Sequence, residues 1–348
     1  MFEIDWNEGD LEAVQKVLER GGRWARGPEI KEFEEEIAGY VGREYAVAFN
    51  SGTSALHALM LAHNIKGGEV IIPSFTFKAT ADTIVLAGGQ PVFADIEEET
   101  LGLDARSVRE KINENTRAVV VVHYGGCPAR DTREIREVCV EEGILLIEDA
   151  AESLGGGIGG RKAGCFGDSG MYSLCQNKTV TCGEGGVAVT DSPETVRELR
   201  RVRSHGSGYN HRMPSMLAAL ASSQLSRIKG LIKKRVEAAG RYSEGFKETD
   251  LVSTPNVPEG FTHTFQMYAV RLASPGLRDG LQSFLGDRGI ASKVYFTPLH
   301  LLEEYGSASL PVSESAGGRV LSLPIHPNLT RRAQDLVVEA VNEYVEGF

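Results

Sequence analysis

Between residues 45 and 190 the chain alternates short, continuous apolar runs with stretches of helical periodicity. Tyr45–Phe49 reads as a strand, and from Ser54 onward Leu56, Leu59 and Met60 recur at the spacing of one helix face. Residues 70–72 form the next apolar run, stopped by Pro73, and residues 91–94, 118–122 and 144–147 supply three more. Helical stretches over Ala79–Leu86, residues 105–112 and residues 133–142 separate these runs. Strands that are apolar on both faces and alternate with helices predict a mainly parallel sheet covered on both sides. Sheets of that kind bind ligands in the crevice at the carboxyl ends of their strands.

Past residues 187–189 the pattern changes. Helical periodicity runs from Pro193 to about Arg241, interrupted by the polar stretch 204–214. Tyr268–Leu272 and residues 291–295 read as strands of a smaller unit, closed by a helix over residues 331–344. The expected architecture is α/β: a large domain with a mainly parallel sheet over residues 1–235, and a smaller C-terminal α+β domain over residues 236–348. No internal repeat is visible.

Composition narrows the possible roles. The 348 residues are 41% hydrophobic and 24% charged, ample for a core, and the formal net charge of -11 is spread along the chain. A nucleic-acid partner requires a basic surface, so none is expected; Arg197, Arg200, Arg201 and Arg203 read as a solvated helix face. The five cysteines, Cys127, Cys139, Cys165, Cys175 and Cys182, never fall in a C-x-x-C pair, which argues against a disulfide framework or a closed zinc site. The N-terminal residues lack the basic-then-apolar order of a signal peptide, and no run of about 18 apolar residues offers a membrane span. A cytoplasmic setting without membrane or metal is the expectation.

Three features carry chemistry when placed on this scaffold. Asp149 follows the apolar run at residues 144–147, which puts a carboxylate at the carboxyl end of a buried strand; a lone aspartate there also serves as an N-cap. Ser51, Gly52 and Thr53 join a strand to a helix, where free backbone N–H groups and the helix dipole suit a phosphate, although Ser and Thr cap many helices that bind nothing. Lys178 lies between an apolar strand and the glycine-rich Gly183-Glu184-Gly185-Gly186. A phosphate cradle, a lysine amine and a buried carboxylate are together what pyridoxal phosphate (PLP) requires. The lysine forms the Schiff base and the carboxylate pairs with the protonated ring nitrogen. By contrast, Gly155-Gly156-Gly157-Ile158-Gly159-Gly160 satisfies G-x-G-x-x-G without the strand before it and the helix after it, and reads as a flexible turn.

At these residues the sequence resembles the DegT/StrS sugar aminotransferases of PLP fold type I. The resemblance runs in order through Gly27-Pro28, Asn50 to Leu56, Glu69 to Pro73 with Thr76-Phe77, Ala79-Thr80-Ala81, Pro91-Val92-Phe93 and Val122 to Gly125. It continues through Glu148 to Ala151, Ser173 to Lys178, Gly183 to Gly186, Gly208 to Met213, Pro298-Leu299-His300 and Leu321 to Pro324. It implies Lys178 as the cofactor-bearing lysine, Asp149 as partner of the ring nitrogen, and Phe77 stacked on the ring. Gly52, Thr53 and Ser173, with Ser51 beside them, would hold the phosphate. Asn210 matches an asparagine that in the family reaches the phosphate from the neighbouring subunit, which implies a homodimer with shared active sites. Glu152 stands where many members carry glutamine or histidine near the ring hydroxyl, and His211 where tyrosine or phenylalanine is commoner.

The resemblance further implies a keto sugar, usually nucleotide-linked, as acceptor and glutamate as donor in ping-pong chemistry, serving amino-sugar or surface-polysaccharide biosynthesis. Related readings share the fold. Sugar 3-dehydratases use pyridoxamine phosphate and carry histidine where this chain has Lys178, while 3-amino-5-hydroxybenzoate synthases act on a carbocycle. A regulatory module that had lost turnover would not be expected to keep Lys178, Asp149, the phosphate loop and Asn210 together. Specificity is expected to reside in segments such as residues 204–209 and 295–300.

Overall fold

The computed structural model describes residues 2–204, 208–306 and 308–348. Nine strands fall in the first 190 residues: β1 (Tyr45–Phe49), β2 (Glu69–Pro73), β3 (Gln90–Ala94), β4 (Thr116–Val122), β5 (Leu145–Asp149), β6 (Gly157–Ile158), β7 (Arg161–Lys162), β8 (Ser169–Ser173) and β9 (Gly186–Thr190). Seven of them form one sheet in the order β1-β9-β8-β5-β4-β2-β3. β9 runs antiparallel to both its neighbours, whereas the other pairings are parallel.

The strand sequences explain why this sheet is buried on both faces. Val47, Phe49, Val70, Ile72, Ala118, Val120 and Ile147 enter one core cluster with Leu56, Leu59 and Met60 of the helix Gly52–Ala62. Their odd-register neighbours Ile71, Val119, Val121 and Leu146 pack on the opposite face with Val108, Ile135 and Cys139. Alternate residues therefore point to opposite layers, yet both sets are apolar, as a sheet between two helix layers demands. The helices Glu8–Glu19 and Glu29–Val41 precede the sheet, and the second buries Phe33, Ile37 and Val41 against β1 and β9.

Four more strands follow: β10 (Val252–Ser253), β11 (Phe261–Thr262), β12 (Tyr268–Leu272) and β13 (Val320–Leu323). β10, β12 and β13 make an antiparallel sheet whose apolar face meets the helices Pro275–Asp287 and Arg331–Val345. The helix Ile228–Gly245 spans residue 235 without a break; Ile228 packs into the first lobe, and Ala238, Ala239 and Tyr242 into the second. Among the described residues no helix is long and apolar enough to cross a membrane.

Three sequence expectations need correction. Residues 291–295 form no strand: only Lys293 pairs, as an isolated bridge to Ser322 at the edge of the small sheet. The glycine-rich stretch is more than a turn. Gly159 and Gly160 take the left-handed backbone a turn needs, but β6 and β7 pair on either side of them, and β11 adds to β6 as a third strand. Finally, Arg203 leaves the solvated helix face and pairs with the buried Glu34 at 2.5 Å.

Candidate active site

All the parts singled out in the sequence meet at one edge of the large sheet. One cross-strand row holds Phe49, Gly186 and Ser173, the last residue of β1, the first of β9 and the last of β8. One strand further, Asp149 ends β5 opposite Met171 and Val122. Reversal of β9 is what brings this about. The loop that carries Lys178 leaves β8 and returns into β9 at the same edge where β1 delivers Ser51 and Gly52.

The turn at Ser51-Gly52, where the sequence places a phosphate cradle, is shaped by absent side chains. A Cβ on Gly52 would lie 2.9 Å from Ser173 Cβ, and one on Gly186 would lie 2.3 Å from the Ser51 carbonyl oxygen. Backbone therefore approaches backbone as closely as glycine permits. Ser51 caps the helix Gly52–Ala62, its Oγ accepting from Ser54 N at 3.1 Å, so its hydroxyl is already committed. Gly52 and Thr53 then open the helix, where N–H groups have no intrahelical acceptor. The Ser173 hydroxyl borders Gly52 and accepts only a long 3.4 Å bond from Cys175 N.

Asp149 is 7% exposed and has few compensations. Thr80 Oγ1 donates to its Oδ2 at 3.0 Å and Ala151 N to its Oδ1 at 3.1 Å. Burial holds the Asp149 carboxyl above the usual aspartate range and Glu152 pushes the same way, against these two hydrogen bonds and the Lys178 charge. A cation placed against Asp149 would relieve that penalty, which is what a protonated ring nitrogen provides. Its neighbour Glu148 is the opposite case. Fully buried, Glu148 receives His123 Nε2 at 2.8 Å and the N–H groups of Gly164, Phe166 and Gly167 at 2.7, 2.5 and 2.6 Å. Burial alone would raise the Glu148 carboxyl; the His123 bond and the backbone donors outweigh it and hold the group below its usual range. His123 Nδ1 accepts from Ala129 N at 3.0 Å, so Nε2 carries the proton donated to Glu148.

Lys178 Nζ meets Glu152 Oε1 at 3.3 Å, and Glu152 Oε2 accepts from Gly125 N at 2.9 Å. Both side chains are largely buried. Phe77 is 60% exposed at the rim, 6.1 Å from the ring of Phe296. Asn210 is exposed beside β1, where its carbonyl accepts from Asn50 Nδ2 at 3.5 Å. Near it, Asn50 Oδ1, His57 Nε2 and His211 Nε2 are buried and lack a hydrogen-bond partner among the described residues. The structure thus brings Lys178, Glu152 and Asp149 together beside the Gly52–Ser173 cradle, with Phe77 and Asn210 toward solvent. Reading the sequence assigned no role to Thr80, Gly125 or Gln266; Thr80 lies one helical turn from Thr76, a spacing shared by countless helix residues.

A seven-stranded sheet with one reversed strand, a buried carboxylate at a strand end, a lysine across from it and a glycine-lined cradle define a PLP-dependent aminotransferase of fold type I. More narrowly, the chain belongs to the DegT/DnrJ/EryC1/StrS aminotransferase family, whose sequence profile matches residues 5–342. It is 34% identical to a GDP-perosamine synthase of Vibrio cholerae over 98% of this chain and 97% of that protein. It is also 34% identical to a pleiotropic regulatory protein of Geobacillus stearothermophilus, over 96% and 95% of the two chains. Among solved structures, the aminotransferase TlmJ from Streptoalloteichus hindustanus superposes with a TM-score of 0.94 at 32% identity, covering 99% of this chain and 97% of that one.

Proposed function

We propose that this chain transfers an amino group from glutamate to a nucleotide-linked keto sugar in amino-sugar biosynthesis, as a cytoplasmic homodimer with shared active sites. The observation that carries the reading is the convergence of Lys178, Asp149 and the Gly52 cradle on one sheet edge. The relative from Vibrio cholerae, whose name is that of an amino-sugar synthase, supports the substrate class. Bound there, the cofactor supplies an electron sink that labilises bonds at the amino-bearing carbon. Lys178 would hold it through Nζ, and that same amine would be the group that moves protons beside it. Asp149 keeps the ring nitrogen protonated, and Thr80 and Ala151 fix its carboxylate plane. The N–H groups of Gly52 and Thr53 and the Ser173 hydroxyl bind the phosphate, with Ser51 shaping the turn. Glu152 holds the Lys178 amine at 3.3 Å and would border the ring hydroxyl, and Phe77, open to solvent, would be the aromatic that covers the ring.

A partner subunit would meet Asn210 and supply hydrogen-bond groups for Asn50, His57 and His211; the exposed Val85 and Leu86 end the helix Ala79–Leu86. The free thiols of all five cysteines favour the cytoplasm. We place the division between the two lobes near residue 235, within the bridging helix. Of the segment 204–209 expected to shape specificity, residues 205–207 lie outside the described residues. In the other specificity segment, Pro298, Leu299 and His300 are buried, the last pinned by Ser74 Oγ at 2.6 Å, which leaves Tyr295, Phe296 and Thr297 as the side chains able to face a substrate.

The regulatory relative suggests a second role without turnover, but that role gives no reason to keep Lys178 and Asp149 paired with the cradle. The test is an absorption spectrum of the protein with PLP, before and after glutamate. A visible band that fades as 2-oxoglutarate appears is expected, and Lys178→Ala should abolish both. No band at all would remove the assignment of Lys178.

A further inference from the structure

Lys178 sits on a loop, and a loop alone does not fix an amine to the tolerance catalysis needs. Both chain neighbours of Lys178 are gripped by a single side chain from the start of the second lobe. Thr179 Oγ1 donates to Gln266 Oε1 at 3.0 Å, and Gln266 Nε2 donates to the Asn177 carbonyl at 2.5 Å. Gln266 is 6% exposed, so neither bond competes with bulk water. The same short segment reaches the amine by a second route. Met267 N donates to the Gly125 carbonyl at 2.9 Å, Gly125 N donates to Glu152, and Glu152 meets Lys178 Nζ.

The segment is itself tightly built. Thr264 N donates to the Gly126 carbonyl at 3.0 Å, and a Cβ on Gly126 would lie 2.8 Å from Gln266 N. Phe265 holds a left-handed backbone at φ 49, a cost tolerated only where surroundings enforce it. The buried Arg235 donates to the carbonyls of Phe265, Gln266 and Ile325 at 3.2, 3.4 and 3.2 Å. None of these residues belongs to the phosphate cradle or the Asp149 cluster.

We propose that Gln266 is a positioning residue for Lys178: its amide holds the Asn177 carbonyl on one side of the lysine and the Thr179 hydroxyl on the other, so the seating of segment 264–267 sets where the amine stands. The proposal rests on the reading of Lys178 as the cofactor-bearing residue. It takes Gln266 to act through Thr179 and Asn177, without touching substrate or cofactor.

The experiment compares Gln266→Met, Thr179→Val and Thr179→Ser with the wild type. Three quantities are followed: the rate at which the visible band forms when PLP is added, the single-turnover rate with glutamate, and amide hydrogen exchange at residues 177–179 without cofactor. Gln266→Met and Thr179→Val should each slow band formation and single turnover, up to ~10²-fold for a displacement of about 1 Å. The KM for glutamate should change by less than about twofold, because donor contacts are untouched. Exchange at residues 177–179 should quicken, and Thr179→Ser, which keeps the hydroxyl, should behave as wild type. The double variant Gln266→Met/Thr179→Val should be no slower than Gln266→Met alone. Wild-type rates and exchange with only a lower melting midpoint would reduce Gln266 to a fold-supporting residue and overturn the proposal. Should Gln266→Met fail to fold, Thr179→Val carries the same test. A wild type that forms no band at all would instead overturn the reading of Lys178 beneath it.

Discussion

Replacing Asp149 with asparagine separates what this residue costs the protein from what it contributes to the site. The substitution removes charge and keeps shape. The asparagine Oδ1 still accepts from Ala151 N, and its amide can donate to Thr80 Oγ1, which is free to turn its own proton toward Thr76 Oγ1 at 3.0 Å. No buried group is left unpaired, so the cofactor-free variant escapes the desolvation of an ionised carboxyl that is 7% exposed. The pH dependence fixes the sign. Because the folded protein holds the Asp149 proton more tightly than the unfolded chain does, the wild type loses stability as pH rises above the ordinary aspartate range. The asparagine variant has no such loss. Its melting midpoint without cofactor should match the wild type near pH 4 and exceed it increasingly toward neutrality. With PLP the order reverses. A hydrogen bond to a charged partner contributes about 1.5–3 kcal/mol, so losing the ionised carboxylate should weaken cofactor binding by roughly 10–100-fold. Paired thermal melts with and without PLP from pH 4 to 8, together with a spectroscopic PLP titration, measure both effects. A variant without cofactor that is no more stable at pH 7, or one that binds PLP as tightly as wild type, would refute this account of Asp149.

Other perturbations test neighbouring parts. Glu148→Gln turns one acceptor oxygen into a donor facing two donors, and at about 1–3 kcal/mol for each stranded group should cost roughly 2–6 kcal/mol in urea unfolding. Since the Glu148 carboxyl is held below its usual range, its contribution should be complete above the ordinary glutamate range and vanish as acid titrates it in the folded state; the variant should therefore lose the wild type's acid sensitivity in that window. Gly186→Ala places a methyl 2.3 Å from the Ser51 carbonyl oxygen, so it should destabilise the fold by about 1–3 kcal/mol and weaken PLP binding, read by the same titration. In mixtures of Asn210→Ala and Lys178→Ala chains, shared sites predict activity that departs from the average of the two parents. Strict averaging at every mixing ratio would assign Asn210 to its own subunit.

The large sheet was legible because each of its apolar runs is local, and Val119 or Ile147 announces a buried strand without knowledge of its neighbours. The end of β5 was harder to read. Glu148 continues the strand although it is charged, because three backbone N–H groups from residues 164–167 and one imidazole from residue 123 close around it, and those distances along the chain leave no pattern. The glycine stretch 155–160 misled for a related reason: its two-residue strand β6 pairs locally with β7, and the third strand that joins it, through Phe261, lies about a hundred residues on. Residues 291–295 have strand-like composition but gain only the bridge at Lys293, and composition cannot register a missing partner. Lys178 and Asp149 stood out because their residue types are unusual in those contexts. Gln266 did not, since nothing in its surroundings points to residues 177 and 179.

The reversed strand β9 has a further meaning for how this molecule can be remade. Both feet of the lysine loop are planted in one sheet, next to the Gly52 turn, so the sheet sets where the loop begins and ends while Gln266 holds its middle. Everything that differs between one sugar and another can then be carried by the remaining shell without redrawing the lysine's seat. The second lobe meets that seat through the Thr264–Met267 segment and meets the first lobe again where β11 joins β6 and where Val312 and Ser313 donate to Asp95, so any replacement must bring counterparts of all three. Chimaeras that transplant the C-terminal lobe from a relative should tolerate wide divergence elsewhere and fail when any of the three is cut through.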